Sequence, residues 1–200
     1  MAPEIDLTIQ RGKTFEFGFL YAEDEILYLP ITGMPSKAPV RLTVVGHSVP
    51  DGWPVQVACV KAPAELNTPE GEYQIAKVVD EDTVELNAVN AHCWKVFSGS
   101  GLLVLTKPMD LTGWHCRAQV RDRVGGTVLF TWHSDPAESP DGEIEVDVAG
   151  SAFVLKIDAA TTAALDWARG VYDVEAIAPG GEVYPVTAIS AVKVDDEVTA

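Results

Sequence analysis

Trp114-His-Cys-Arg-Ala-Gln-Val-Arg-Asp-Arg-Val-Gly-Gly-Thr-Val-Leu-Phe-Thr-Trp132 is the stretch on which the fold turns. It reads as two strands, Trp114–Arg123 and Thr127–Trp132, joined at Gly125-Gly126. A Gly-Gly pair supplies the positive φ angles of a tight hairpin turn. The device repeats in Gly170-Val-Tyr-Asp-Val-Glu-Ala-Ile-Ala-Pro-Gly-Gly-Glu-Val183, with Pro179-Gly180-Gly181 as its turn. One short helix interrupts the pattern at residues 158–168. Asp158 is a suitable N-cap, Gly170 a natural stop, and Ala160, Ala164, Leu165 and Ala168 form one apolar face with Trp167 at its edge. Hairpins joined by one short helix predict a sandwich cross-connection, a unit that builds surfaces and joints.

Toward the N-terminus, Ile5, Leu7 and Ile9 alternate with Asp6, Thr8 and Gln10, as in a half-buried strand. Arg11-Gly12-Lys13 reads as a turn, and Phe15, Phe17 and Phe19 share one face of the next strand, which predicts an opening hairpin. Residues 22–39 read as irregular, because Pro30, Pro35 and Pro39 follow Tyr28 too closely for a central strand. From Val40 onward the texture changes to short strands at Val55–Val60, Tyr73–Val79 and Thr83–Leu86, with turns at 68–71 and 80–82. Strands this short predict a small twisted β barrel. Ser98-Gly-Ser-Gly101 reads as a flexible joint, after which Leu102–Leu105 resumes an apolar strand. The expected organisation is an insertion: a small β module, residues 40–104, set into a discontinuous sandwich of residues 1–39 and 105–200. A two-domain tandem is the rival, but 39 residues are too few for an independent domain.

The chain has 200 residues, 47% of them hydrophobic, and a formal charge of −16. Such a surface repels a phosphate backbone, which argues against nucleic acid as a partner. The acidic residues are dispersed, as in Glu143, Glu145 and Asp147 along one strand, a pattern that keeps strand edges soluble. No apolar run approaches the roughly 20 residues of a membrane helix. The opening Met1-Ala-Pro-Glu-Ile-Asp6 has neither the basic flank nor the apolar core of a secretory signal, so folding in a cytoplasm is expected.

Four patterns carry possible chemistry, and each has a structural reading beside it. His92-Cys93 and His115-Cys116 hold zinc-type donors, but neighbours on a strand point to opposite faces and cannot easily converge on one ion. His133, Ser134 and Asp135 are base, nucleophile and acid types, yet they are consecutive, precede Pro136, and lack a Gly-x-Ser-x-Gly elbow. Such a run reads as a turn whose side chains bond their own backbone. Glu143 and Glu145 share a strand face at about 7 Å, a spacing that alternating charges on any exposed strand produce. Among the five tryptophans, Trp53 and Trp94 lie in the inserted module and are the candidates for stacking a ligand, although core packing is the commoner use. The three cysteines, Cys59, Cys93 and Cys116, show no disulfide spacing. No phosphate-binding glycine motif is present, and no metal or cofactor is expected.

The segments Asp110-Leu-Thr-Gly-Trp114, Ala118-Gln-Val-Arg-Asp-Arg-Val-Gly-Gly-Thr-Val-Leu129, Gly170–Val183 and Val192-Lys-Val-Asp-Asp-Glu-Val-Thr199 resemble tail-associated structural proteins of tailed bacteriophages. They are similar to the immunoglobulin-like N-terminal domain of baseplate upper proteins. The stretches Ala64-Glu-Leu-Asn67 and Tyr73–Leu86 resemble a small β module common in phage tail proteins. The resemblance implies an all-β fold, an immunoglobulin-like β-sandwich with one short helix and an inserted small β-barrel-like module. It further implies a non-enzymatic virion protein, made in the host cytoplasm, that anchors fibre or spike receptor-binding parts in the tail or baseplate. Its partners would be other virion proteins in a symmetric, multi-copy assembly, with no nucleic acid and no membrane. A host-surface carbohydrate-binding module and a capsid decoration protein are the alternatives. Candidate contact regions are Ile5–Gln10, Tyr28–Pro39 and Asp195–Ala200, with Ile5, Leu7, Ile9, Tyr28, Met34 and Val198 as the residues to test.

Overall fold

The computed structural model describes residues 2–197 and divides into two compact units, residues 1–21 with 110–200 and residues 22–109. Both the sequence boundaries move outward: residues 22–39 and 105–109 belong to the inserted unit. The fold is all-β, an immunoglobulin-like sandwich carrying one short helix and a small, nearly closed module.

The sandwich is built from β1 (Leu7–Gln10), β2 (Phe15–Leu20), β10 (His115–Arg121), β11 (Val128–His133), β12 (Gly142–Asp147), β13 (Ala152–Ile157), β14 (Arg169–Ile177), β15 (Val183–Pro185) and β16 (Ser190–Asp195). The hydrogen-bonded order is β1-β16-β14-β10-β11-β12-β13-β2, with β15 also on β14. The path folds over at β11 and β12, which share only the two parallel pairs Trp132↔Gly142 and His133↔Glu143. One layer turns Ile9, Val120, Trp132, Tyr172 and Val174 inward, and the other turns in Phe19, Ile144, Phe153 and Leu155; all are buried. Tyr21 stacks edge-on against Phe153 at 5.5 Å and Trp114 at 5.8 Å, and this burial raises its phenol pKa.

The opening hairpin does not form. Arg11-Gly12 makes the turn, but β1 pairs in parallel with β16, Leu7 opposite Val192, while β2 pairs with β13. The turn therefore carries the chain from one layer to the other. The two C-terminal hairpins are present. Between β10 and β11 the loop is longer than a two-residue turn: Asp122 N–H donates to Thr127 O at 3.1 Å, and only Gly125 has a positive φ, +72°. In the other, Ile177 pairs with Val183 and Ala178 N–H donates to Glu182 O at 2.9 Å.

The helix α1 (Ala159–Ala163) is shorter than expected. Asp158 caps it, its carboxylate accepting from Thr161 N–H at 2.8 Å, a bond that lowers the Asp158 pKa. Beyond Ala163 the Arg11 guanidinium takes the carbonyls of Leu165 and Trp167, each at 3.0 Å. Both of those side chains turn into the core, so the chain leaves the helix in extended alternation.

The module contains β3 (Ala22–Pro30), β4 (Gly33–Lys37), β5 (Val40–Thr43), β6 (Pro54–Ala58), β7 (Gln74–Asp80), β8 (Thr83–Leu86) and β9 (Leu102–Pro108). Its order is β3-β9-β6-β7-β8-β5-β4. The end strands β3 and β4 are nearly continuous in sequence, so Ile31 N–H reaches Gly101 O while Thr32 N–H reaches Thr43 O, and the sheet almost closes. Residues 22–39 are thus strands and not an irregular loop. The prolines are tolerated because both strands are terminal: Pro30 ends β3, and Pro35 sits where the β4–β5 register slips between Gly33 and Ser36. The core includes Val40, Leu42, Trp53, Val84, Leu86 and Leu103. Ser98–Gly101 is not a joint between units. It lies inside the module, where a Cβ on Gly101 would come within 2.6 Å of Val60 Cγ2. Among the described residues, no helix is long and apolar enough to cross a membrane.

Candidate interface

Alternation along a strand sends one set of side chains to the core and the other to solvent. On β7 the small Ala76 faces the core, fully buried, and this leaves Ile75 on the outer face. Ile75 is 53% exposed and Tyr73, just before the strand, 63% exposed. On β3, Ile26 and Tyr28 also point outward, 51% and 61% exposed. Cross-strand register puts these residues on neighbouring strands. Tyr28 lies opposite Val104, Val104 opposite Gln56, Ile26 opposite Thr106, and Ile75 opposite Pro54. The result is a stripe across β3, β9, β6 and β7, with a groove of about 260 Å³ between Ile26, Tyr73, Pro54 and Val104. The exposed apolar residues lie at β3 and β7, and the half-buried Val104 of β9 and Pro54 of β6 connect them beside Gln56 and Thr106. A connected patch marks a binding surface more often than isolated residues do.

The stripe has an acidic frame. Glu23, Asp24 and Glu25 precede Ile26 on β3, and Glu70 and Glu72 precede Tyr73. Lys107 is held by Glu23 at 3.0 Å and Glu25 at 3.1 Å, and those bonds raise its pKa. Farther round the same sheet, Glu85 is buried between Arg41, at 2.8 Å, and Lys77, at 4.0 Å.

The residues singled out from sequence divide sharply. Tyr28 is exposed and belongs to the stripe. Leu7 and Ile9 are core side chains, at 3% and 0% exposure, so they offer no surface for contact; what β1 leaves open is its backbone edge away from β16. Ile5 is half-buried, its N–H donating to Ser190 Oγ at 2.9 Å and its carbonyl accepting from the Tyr172 hydroxyl. Met34 packs against the module core, and Val198 lies outside the described residues. Trp53 is 1% exposed and donates its indole N–H to Thr106 O at 3.0 Å, which removes it as a stacking platform. Trp94 is half-buried against the same core. Ile26, Tyr73 and Ile75 were not singled out. Their signal was a strand apolar on both faces, with the smallest residue, Ala76, in the inward set.

The other chemical patterns resolve into local structure. His133 Nδ1 accepts from Asp135 N–H, Ser134 Oγ accepts from Cys116 N–H, and an Asp135 carboxylate oxygen accepts from Ala137 N–H, each at 2.9 Å. The first and last are the backbone bonds of a turn, and the second ties the end of β11 to β10. His133 and Ser134 line a groove of about 570 Å³ whose other wall carries Glu16, Glu143 and Lys156. Lys156 pairs with Glu145, which raises the lysine pKa. Cys116 is buried, and desolvation pushes its thiol far up, while neighbouring His115 is exposed. No group of three or more His, Cys, Asp or Glu side chains is placed to hold a metal among the described residues.

No family model and no curated protein matches the chain. Among solved structures, one similar chain belongs to work showing how the Enterococcus faecalis MSCRAMM ACE binds its ligands by the collagen hug model. It is 10% identical, with 94% of this chain and 92% of that chain covered, at a TM-score of 0.12. A likeness that slight carries no argument.

Proposed function

We propose that this chain is a non-enzymatic structural protein of a tailed-phage virion, an adaptor or accessory component of the tail or baseplate that anchors fibre or spike receptor-binding parts. The observation that carries the reading is the apolar stripe of Ile26, Tyr28, Tyr73 and Ile75 on a chain of charge −16. A strongly acidic protein has ample charged residues for its surface, and exposed apolar side chains retained at β3 and β7, connected by Val104 and Pro54, are suited to docking. The sequence resemblance to baseplate upper proteins supports reading that docking as one within a virion. The free backbone edge of β1 offers a second mode of attachment, by addition of a partner strand. Symmetric repetition in a particle makes modest single contacts sufficient in sum.

Cryo-electron microscopy of the phage particle encoding this chain tests the proposal. Density at the tail or baseplate touching a fibre or spike is the expected result. Density on the capsid would make it a decoration protein, and absence from purified particles would overturn the virion reading.

A further inference from the structure

Three features of the molecule compete for a role beyond this. The 570 Å³ groove beside His133 is lined by turn residues and by Glu16, Asp141, Glu143 and Lys156, with His133 and Asp141 already bonded to nearby backbone N–H groups. The groove along β1, β14 and β16, where Arg169 lies opposite Lys193 and Asp6 stands nearby, carries both signs of charge. The module stripe combines exposure, shape and an acidic frame whose neighbouring cations, Lys107 and Lys77, are already paired with Glu23, Glu25 and Glu85.

We infer that the stripe across β3, β9, β6 and β7 docks a partner protein whose contact surface is apolar at its centre and basic at its rim. The inference rests on reading the chain as a docking protein and adds the chemistry of its partner. The centre follows from the side chains of the stripe: Ile26 and Tyr73 line the groove, and Tyr28 and Ile75 stand beside it opposite Val104 and Pro54. Tyr28 and Tyr73 present large, stiff, partly polar rings, the side-chain type most used as an interface anchor, and Ile26 and Ile75 extend the apolar area beside them. The rim follows from charge. Glu23, Asp24, Glu25, Glu70 and Glu72 stand at the two approaches to the stripe, while Lys107 is already committed to Glu23 and Glu25.

A second copy of this chain is the wrong occupant on the same ground. Two such faces would bring two acidic frames together on proteins of charge −16 each, within the roughly 8 Å over which exposed charges interact at physiological salt. Arg and Lys on a partner would instead meet carboxylates, which speeds encounter and sets register while the apolar centre supplies the affinity.

The test selects extended peptides of about twelve residues from a random display library on the full chain, and measures the best binder as a synthetic peptide. The expected peptides carry two or more apolar residues flanked by Lys or Arg. Tyr28→Ser and Tyr73→Ser are each expected to weaken binding at least about tenfold, with the thermal melt unchanged because both side chains are exposed. Val124→Ser, an equally exposed position on the sandwich, is expected to leave binding as it was. Raising salt from about 50 to about 500 mM is expected to weaken binding severalfold. Peptides without basic residues, or binding indifferent to salt or to both tyrosine changes, would overturn the inference. So would self-association of the chain that Tyr28→Ser abolishes, which makes a second copy the occupant. Because the peptide assay needs no particle, its failure is separate from absence of the chain from the virion.

Discussion

On the sandwich, the outward row Glu143, Lys156 and Glu16 across β12, β13 and β2 is all charge; on the module, the outward row Tyr28, Val104 and Gln56 across β3, β9 and β6 carries none. Inside, the contrast reverses in size. The sandwich core is rich in rings, with Phe19, Phe130, Trp132, Phe153 and Tyr172 buried, whereas the module buries mainly aliphatic residues around Trp53. A small barrel has little interior, so short side chains such as Ala76 occupy it and larger apolar ones remain outside. Outward apolar surface on the module is thus partly a consequence of size, and its gathering into one stripe is what distinguishes it.

The largest effect that can divide the two units is Trp53→Ala. The indole is fully enclosed in the module and bonds Thr106 O, so its loss is expected to cost about 3–5 kcal/mol. Urea unfolding followed by hydrogen exchange would show the loss in β3–β9, with β1, β2 and β10–β16 retained; uniform loss in both would mean the units unfold as one. Gly170→Ala makes the reciprocal perturbation. Its Cβ would stand 2.6 Å from Val120 Cγ1 and 2.8 Å from Arg121 O, and overpacking of this kind costs about 1–3 kcal/mol. The same exchange experiment should locate that loss in the sandwich, and an unchanged midpoint would show that β14 can shift away from β10.

A smaller effect has the opposite sign. Asp173 on the sandwich has its carboxyl pKa raised, chiefly by burial and then by Glu175. A raised folded-state pKa means the ionised form is disfavoured by folding. The penalty is absent below the unfolded value of about 3.9 and grows as pH rises through the folded value. Asp173→Asn is therefore expected to raise the melting temperature slightly at neutral pH and to leave it unchanged near pH 3. A stabilisation that persists in acid would assign the gain to packing. The finest discrimination is chemical. Cys59 and Cys93 of the module are exposed and should react with a thiol reagent in the native protein, while Cys116 in the sandwich should react only after unfolding. A third thiol reacting at the native rate would mean that the sandwich core opens readily.

What the sequence disclosed was whatever is local. Both C-terminal hairpins, the Asp158 cap and the strand at Thr83–Leu86 follow from residues near one another in the chain. The β1–β16 pairing is not legible, because alternation in Ile5–Gln10 specifies which face is buried but not which strand lies alongside. The prolines in 22–39 correctly disfavoured a central strand and gave no sign that terminal strands would accept them. The binding stripe was only partly visible. Tyr28 was found through its irregular surroundings, while Tyr73 and Ile75 were hidden by an alternation whose inward member is an alanine. Trp53 reads as a candidate for ligand stacking with core packing as the commoner use, and its burial and the bond from its indole N–H to Thr106 decide for the core.

The parallel pairing of Leu7–Gln10 with Val192–Asp195 joins residues about 185 positions apart. During synthesis, the first strand must wait until Val192–Asp195 has been made before its neighbour exists. Every strand of the module, in contrast, lies between Ala22 and Pro108 and is available once Pro108 has emerged. Since completed units generally fold as they emerge, the module would be formed before the strand that completes the sandwich.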